Sequence, residues 1–393
     1  MKGKGEFIPS KWTLLFLLLP STMIMMGGAV VAPALPAISE AFPEASQTMV
    51  SLIVTVPGLA VTTTGFAIGW ASDRFGKVRM LALSALITAI GGSAGFFLDS
   101  IPLILVSRFA VGVGIGGMTV TTTALISEYY TGNDRIRVIS YQSAAMGAGI
   151  MFLEVAGGLT ADIGWREPFL VYMVAMVFFF GIIMSMREPT TKIVKASGSE
   201  KWDRHDTKTV VLCYSAAFLG LMISYILPTN LPYYVSELGA SGLTSGILIG
   251  WFGVCEAISC MMYRRISMVM DRKGMMVFSF LIAGIGYSLM FIPNSFAIII
   301  VSLALIGFGL GLITPIVINW LSTVVTNNTS GKIMGGYSMA LNMAPFASSI
   351  ISAPLLAAAS SSYETMFLLL GMISLIIGAL CAVPLLKRKS ATE

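Results

Sequence analysis

The feature that most constrains this chain is a succession of apolar segments, each long enough to cross a ~30 Å hydrocarbon core as a helix. Of its 393 residues, 56% are hydrophobic and 11% are charged, against roughly 25% charged in an ordinary soluble domain. The apolar runs are continuous and do not alternate with a period of two, which argues against a transmembrane β-barrel. The sequence therefore predicts an integral membrane protein whose spans are all helical.

Twelve spans are predicted, with short loops between most of them. The expected bounds are 12–32, 46–70, 78–98, 101–126, 136–161, 168–186, 208–235, 242–264, 273–292, 294–320, 331–359 and 363–386. The exception to the short loops is the polar stretch "REPTTKIVKASGSEKWDRHDTK", which divides the spans into six and six. We therefore predict an all-α membrane protein with an N-terminal six-helix half at 1–187, a cytoplasmic linker at 188–207 and a C-terminal six-helix half at 208–393.

The first apolar segment, 12–32, is too long for a signal-peptide core and lacks a small-residue cleavage site, so we predict a retained helix. The four cysteines lie inside apolar segments without paired spacing, and the single histidine, His205, lies in the linker. This pattern favours neither a disulfide framework nor a metal site. We also find no nucleophile and base at membrane depth. The chain is therefore predicted to be no enzyme and to use no cofactor and no metal.

The net charge of +5 is better explained by membrane topology than by nucleic-acid binding. If the N-terminus is cytoplasmic, all of the 24 Lys and Arg residues except Arg108 and Arg166 lie in inner loops, tails or inner helix ends. That bias sets the orientation by the positive-inside rule. We predict a monomer in the cell (inner) membrane, with both termini cytoplasmic, the lipid bilayer as its surroundings and no nucleic-acid partner.

The two halves resemble each other. "SDRFGKVR" follows the second span and "MDRKGMM" follows the eighth, so that Asp73 and Asp271 occupy equivalent places. Paired six-helix halves with a central linker are typical of transporters built from repeats, with a binding site near the membrane midplane.

Four ordered motifs carry a resemblance to a known family. "GWASDRFGKVR", at 69–79, matches the loop pattern G-x-x-x-D-R-x-G-R/K-[RK], and it is joined by "RFAVGVGIGG" from Arg108, "GWREPF" from Gly164 and "APALPAI" from Ala32. In this order they resemble the major facilitator superfamily, and among its members the twelve-helix drug:proton antiporters. The resemblance implies a secondary active transporter that works by alternating access.

The loop motif and its repeat are predicted to form a conformational latch on the inner face. Asp73 is expected to lie against the positive N-terminal end of a helix of the other half, while the glycines allow a tight turn. The alternative is that these charges merely set topology. The predicted latch residues are Gly69, Asp73, Arg74, Gly76, Lys77 and Arg79, with Asp271 and Arg272 in the repeat; Glu128, Asp134 and Arg135 are expected in the same network.

Three ionisable residues lie well inside the predicted spans: Arg108, Glu154 and Glu256. Such residues are rare and by default functional. Arg108 and Glu154 both lie roughly 10 to 12 Å below the outer helix ends, so we predict that they meet. Glu256 lies deeper toward the other face, as a second proton site. The alternative is a structural Arg108 to Glu154 pair that never titrates.

Glu154 also interrupts a pattern of the antiporter family. The fifth-helix pattern G-x-x-x-G-P-x-x-G-G reads here "GIMFLEVAGG", with Leu153 and Glu154 in place of Gly-Pro, so the kink of that pattern is not assured. The first helix has Gly27 and Gly28 where many drug antiporters place an acidic residue. The hypothesis is that proton coupling runs through Glu154.

The substrate cavity is expected among the first, fourth, seventh and tenth helices, which line it in the family. Soft and aromatic residues with few fixed charges suit bulky amphipathic compounds, whereas a phosphate or dicarboxylate site favours several inward cations. The alternative for each residue is helix packing or an interfacial aromatic belt. The predicted substrate-binding residues are Met23, Met26, Tyr225, Asn230, Tyr233, Asn319, Trp320, Tyr337 and Asn342.

The leading prediction is an exporter of hydrophobic or amphipathic small molecules, drugs or metabolites, driven by proton antiport. A second is an uncoupled or proton-symporting carrier for a specific metabolite such as a siderophore, a sugar or a lipid-like compound. A third, from another class, is a membrane receptor or scaffold that transports nothing. The third leaves the loop motif and the paired halves unexplained.

Overall fold

The computed structural model describes residues 9–24, 29–189, 204–292, 295–324 and 330–389. Over these residues the chain is helical and has no strand, which confirms the predicted fold class. Ten helical stretches in the described part are long and apolar enough to cross a membrane, so the chain is a multi-pass membrane protein. Met26, Gly27 and Gly28 lie outside the described residues.

Contacts divide the chain into two units, Met1–Lys195 and Ala196–Glu393. The first unit contains α1 Lys11–Leu18, α2 Ser21–Ile24, α3 Leu35–Ala41, α4 Gln47–Phe75, α5 Lys77–Ala94, α6 Ile101–Tyr129, α7 Gly132–Ala161, α8 Val174–Ser185, and the 3-10 helices Ala29–Ala34 and Glu167–Met173. The second contains α9 Arg204–Glu237, α10 Gly242–Ile266, α11 Arg272–Leu289, α12 Phe296–Gly311, α13 Ile313–Leu321, α14 Ser330–Ala358 and α15 Tyr363–Lys389.

The first predicted span is not one continuous helix, so that prediction is wrong. α1 ends at Leu18, and the short α2 begins only after Pro20. On the far side of residues 25–28, which lie outside the described part, a 3-10 helix runs from Ala29 to Ala34 and contains Pro33. Proline has no backbone N–H and its ring clashes with the preceding turn, which explains why this segment is broken.

α7, which carries Glu154, runs unbroken from Gly132 to Ala161 and contains no proline. The replacement of Gly-Pro by Leu153 and Glu154 therefore leaves this helix continuous. Two glycines of α7 allow it to approach the broken first segment closely. An added Cβ at Gly149 would overlap the carbonyl oxygen of Thr22, and one at Gly157 would overlap that of Val30.

α6 packs against α4 and α5 through the small residues of its "GVGIGG" stretch, which allow close approach of the helices. An added Cβ at Gly112 would overlap the Pro57 carbonyl, and one at Gly114 would overlap Thr88. In the second unit, α11 is joined to its neighbours by buried hydrogen bonds. The Tyr287 hydroxyl donates to the Ile223 carbonyl of α9 over 2.7 Å.

Candidate functional site

Arg108 of α6 is fully buried in the first unit. Its Nη2 donates to the carbonyl oxygens of Gly91 and Gly92 on α5, at 3.2 and 2.7 Å. Its guanidinium carbon lies 4.9 Å from the ring centroid of Phe169 and 4.6 Å from that of Tyr172. Cations over aromatic faces are attracted by the ring quadrupole, more strongly where water is excluded. Carbonyl dipoles and two aromatic rings therefore stabilise this arginine.

Glycines of α5 make room for the two rings. An added Cβ at Gly92 would overlap the side chain of Tyr172, and one at Gly95 would overlap the Phe169 ring. The rings come from the 3-10 helix Glu167–Met173, which has Pro168 in its first turn. The "GWREPF" corner therefore supplies Phe169, and the remainder of the 3-10 helix supplies Tyr172.

Glu154 of α7 is fully buried, and neither of its carboxylate oxygens has a hydrogen-bond partner among the described residues. No salt bridge joins it to Arg108 or to another described cation. The predicted direct Arg108 to Glu154 pair is therefore wrong, because the carbonyls of α5 and the two rings surround the guanidinium. Tyr172 is close enough to interact electrostatically with both Arg108 and Glu154.

A buried carboxylate without a hydrogen bond or a counterion is far less costly in the protonated form. Arg108 is close enough to reach Tyr172, and Tyr172 is close enough to interact with Glu154. Tyr172 therefore interacts with both charged groups, although neither carboxylate oxygen of Glu154 has a hydrogen-bond partner among the described residues.

We predict that Gly92→Ala lowers the free energy of unfolding by about 1–3 kcal/mol, because the new methyl group overpacks the contact with Tyr172. Thermal unfolding of the purified protein in detergent measures this change. Gly65→Ala is the matched control, since an added Cβ at Gly65 in the middle of α4 meets nothing within 4 Å. Equal behaviour of the two variants would contradict the proposed packing around Arg108.

Glu256 of α10 is only partly buried in the second unit. It accepts a hydrogen bond from the Ser224 hydroxyl of α9 over 3.0 Å, and Tyr287 interacts with it electrostatically. Gly311 lets α12 approach closely, since its Cβ would lie 2.6 Å from the Glu256 carbonyl oxygen. Unlike Glu154, this carboxylate has a neutral hydrogen-bond partner.

Two of the predicted substrate-binding amides are used within their own helices. The Asn230 amide nitrogen donates to the Ile226 carbonyl over 2.8 Å, and that of Asn342 donates to the Ser338 carbonyl over 2.9 Å. Asn230 is also buried, whereas Asn342 is partly buried. Met23 is buried in the first unit.

The predicted aromatic residues differ in their surroundings. Tyr233 stacks on Tyr363 with 6.1 Å between ring centroids, whereas Tyr225 is partly buried and Tyr337 is buried. Stacking near a helix end is also what the interfacial alternative predicts for Tyr233.

Asn319 and Trp320 do not lie near the middle of a span, which differs from the expected midplane site. α13 ends at Leu321, so both residues occupy its last turn. They line an open cavity of about 560 Å³ together with residues of the α10 to α11 loop, including the predicted latch residues Asp271 and Arg272.

The loop between α4 and α5 forms a charged network in the first unit. Lys77 forms a salt bridge with Glu128 of α6, and its Nζ also lies 3.9 Å from Oδ1 of Asp73. The Asp73 side chain is 51% exposed. Arg74 lies over the Trp70 ring, 5.4 Å from its centroid. Glu128 is the one residue among the predicted partners of this loop, Glu128, Asp134 and Arg135, for which a salt bridge with the loop is seen in the described part of the chain.

Sequence reasoning missed Glu188 in this network. The backbone N–H groups of Lys77 and Arg79 each donate to a carboxylate oxygen of Glu188 over 2.9 Å. Glu188 thus caps the N-terminus of α5, which begins after Gly76 at a φ of 103° and has no side-chain cap of its own. Its position, two residues after the predicted end of the sixth span, gave no sign of this long-range contact.

Asp271 has a different local role from its sequence equivalent. It is the N-cap of α11, where its Oδ1 accepts from the Gly274 N–H over 3.0 Å. Asp73 lies instead within the last turn of α4. The equivalence in sequence therefore does not extend to the local structure, because α4 continues to Phe75 whereas α10 ends before the loop.

We predict that Glu188→Ala lowers the free energy of unfolding by about 1 kcal/mol, because two N–H groups of a helix N-terminus lose their acceptor and the helix dipole loses an anion. Glu188→Gln keeps a hydrogen-bond acceptor, so its free energy of unfolding should lie between those of Glu188→Ala and the wild type. Thermal unfolding is the measurement, with Glu44→Ala as a control at an exposed acid. A Glu188→Ala protein as stable as that control would exclude the capping role.

Comparison with known proteins gives a consistent set of relatives. The model of the Major Facilitator Superfamily matches residues 17–212 and 210–393. Quinolone resistance protein NorB of Staphylococcus aureus strain bovine RF122 / ET3-1 is 24% identical over 184 residues, which cover 46% of this chain and 36% of that protein. The same protein of strain MSSA476 is 25% identical over 177 residues, 44% of this chain and 35% of the relative. The matches thus span about a third of these relatives' length.

Solved structures resemble the chain over most of its length. The crystal structure of a D-xylose-proton symporter has a TM-score of 0.75 at 16% identity and covers 94% of this chain and 96% of its own. A bacterial homolog to human lysosomal transporter Spinster has a TM-score of 0.76 at 16% identity, with 94% and 95% covered. At such low identity these likenesses show the fold alone.

Proposed function

This chain belongs to the major facilitator superfamily of transporters, and from that premise we propose that it exports hydrophobic or amphipathic small molecules in exchange for protons. The observation that carries the proposal is the fully buried Glu154 carboxylate, which has no hydrogen-bond partner among the described residues. Ionisable residues at membrane depth are costly, and they mark proton relays in pumps and transporters. We assign the coupling role to Glu154, positioned beside Tyr172 and Arg108, with Glu256 as a second proton-binding carboxylate.

Two observations support the substrate class. The relatives matched over part of the chain are named quinolone resistance proteins, which favours efflux of drug-like compounds. Of the ionisable residues deep within the spans, Arg108 is the sole cation, and its guanidinium is enclosed by two rings. A phosphate or dicarboxylate substrate favours bidentate or clustered cations instead.

The remaining assignments are part of the same proposal. The predicted substrate residues with soft or aromatic side chains bind the substrate as the transporter alternates between its conformations. The charged loop between α4 and α5 acts as the latch. We propose a monomer in the cell (inner) membrane, and the positive-inside charge bias supports an orientation with both termini inside.

A proton-symporting or uncoupled carrier of a specific metabolite is the second candidate. It is favoured by the sequence of the first segment, which has no acidic residue between Lys11 and Ser39, where many drug antiporters place one. Export against a gradient distinguishes the two, since a symporter moves its substrate in the direction of the protons.

The proposal is tested by growth of a drug-hypersensitive host that expresses the protein, on a panel of quinolones, toxic organic cations and siderophores at two pH values. We expect tolerance to at least one amphipathic compound, and tolerance that depends on pH. The Glu154→Gln protein, produced at the same level, should give none. Equal tolerance from both proteins would remove the coupling role of Glu154, and sensitivity to every compound would contradict drug export.

A further inference from the structure

A cavity of about 560 Å³ in the second unit is lined by two cations, Arg272 and Lys273, that form no salt bridge with a described residue. It lies at the loop between α10 and α11 and at the end of α13. Its lining includes Arg272 and Lys273, the aromatic residues Tyr263 and Trp320, and the amide of Asn319. The combination of cations, an amide and aromatic rings in one concave site is typical of anion recognition.

Arg272 and Lys273 are both partly buried, yet neither forms a salt bridge with any described residue. Asp271 is the acidic residue of the lining, and its Oδ1 accepts the N–H of Gly274 as the cap of α11. The sequence supplies no Asp or Glu from residue 272 to residue 363. The positive charge of this cavity therefore remains largely uncompensated within the described part of the second unit.

The equivalent loop of the first unit is compensated internally. Lys77 pairs with Glu128 and lies near Asp73, and Glu188 occupies the N-terminus of α5. The repeat thus contains one loop that is neutralised by the chain's own carboxylates and one that is not. Among the described residues, the second loop therefore carries positive charge that an anion from outside the chain can balance.

The surroundings of the cavity favour a lipid as the source of that anion. The loop exposes two consecutive apolar side chains, Met268 at 75% and Val269 at 86%. The exposed residues Arg264 and Arg265 lie one turn earlier, at the end of α10. Apolar residues beside clustered cations at a helix end match the boundary between acyl chains and anionic headgroups.

We propose that this cavity binds the phosphate group of an anionic lipid headgroup. Arg272 and Lys273 donate charge-assisted hydrogen bonds to the phosphate oxygens, while Trp320 and Tyr263 contact the glycerol region and Met268 and Val269 face the acyl chains. A free phosphate ion shares the charged part of this chemistry but gains nothing from the apolar loop. The site is independent of what the protein transports.

The test uses the full chain purified in detergent, with phosphatidylglycerol, phosphatidylcholine or inorganic phosphate added in separate titrations. The shift of the thermal unfolding temperature reports binding. We compare the wild type with Arg272→Gln/Lys273→Gln and with Arg264→Gln/Arg265→Gln, which removes the same charge from residues that do not line the cavity. Unfolding without added lipid shows whether each variant is folded, and the single substitutions Arg272→Gln and Lys273→Gln replace the double variant if it is not.

For the wild type, we expect half-saturation by phosphatidylglycerol at a concentration at least about tenfold below that needed for phosphatidylcholine. The Arg272/Lys273 variant should bind phosphatidylglycerol at least about tenfold more weakly than the wild type, because it lacks the charge-assisted hydrogen bonds to the phosphate. The Arg264/Arg265 variant should weaken phosphatidylglycerol binding less than the Arg272/Lys273 variant does, because its cations do not line the cavity. Saturation by inorganic phosphate at similar concentrations supports a phosphate site and assigns it to free phosphate. Equal affinities of the two lipids, or of the wild type and the Arg272/Lys273 variant, overturn the proposal.

Discussion

Replacing Glu154 by Gln should abolish the substrate accumulation that a pH gradient drives, while substrate binding remains. In vesicles that are acidic inside by one pH unit, exchange of one proton for one neutral substrate sustains an accumulation of about tenfold, because one unit corresponds to about 1.4 kcal/mol. Gln fills the same volume as Glu but cannot carry the proton. The Glu154→Gln protein should therefore equilibrate its substrate to equal concentrations, or fail to move it.

Accumulation of a radiolabelled substrate in reconstituted vesicles measures this effect. Glu256→Gln is the matched control, since it makes the same chemical change at a carboxylate that already accepts a hydrogen bond from Ser224. We expect it to reduce accumulation less than Glu154→Gln does. Tenfold accumulation by the Glu154→Gln protein would show that this carboxylate does not carry the coupled proton.

Replacing Arg108 by Lys should reduce transport by more than about tenfold and lower the free energy of unfolding by about 2–4 kcal/mol. The guanidinium lies over two rings while bonding to two carbonyls of α5. An ammonium group has no planar face for such stacking. Arg108→Lys therefore keeps the positive charge but loses the stacking on the two rings.

Transport assays and thermal unfolding measure the two effects of Arg108→Lys. Arg137→Lys is the matched control, because Arg137 also lies over a tyrosine ring, 5.6 Å from the centroid of Tyr141, but at an exposed position. We expect this control to stay close to the wild type in both assays. If Arg108→Lys matched the control in both assays, the contacts of the guanidinium with the two rings and the two carbonyls would be needed neither for stability nor for transport.

The fold and the positions of the buried charges could be predicted from the sequence, because apolar length and rare charges at membrane depth carry strong signals. The residues that contact those buried charges could not be predicted from the sequence. Nothing in the spacing of Arg108 and Glu154 reveals that Phe169 and Tyr172 enclose the guanidinium, since that depends on how closely Gly92 and Gly95 let the 3-10 helix approach.

Other differences have equally local causes. The first span was expected as one helix, but it is interrupted at Leu19 and Pro20, between α1 and α2. The loop repeats look alike in sequence, yet Asp271 caps a helix while Asp73 lies inside one. Glu188 was overlooked because it lies more than 100 residues along the chain from the N–H groups that it binds. Long-range caps of this kind leave no local pattern.

The central claim, proton antiport, is tested most directly by the movement of protons when substrate is added to reconstituted vesicles. The lumenal pH is followed with a trapped dye, with equal pH on both sides and the membrane potential held at zero. Antiport predicts that the lumen becomes alkaline as substrate enters, and that Glu154→Gln removes the change. Acidification of the lumen, or a constant pH while substrate enters, would contradict the account.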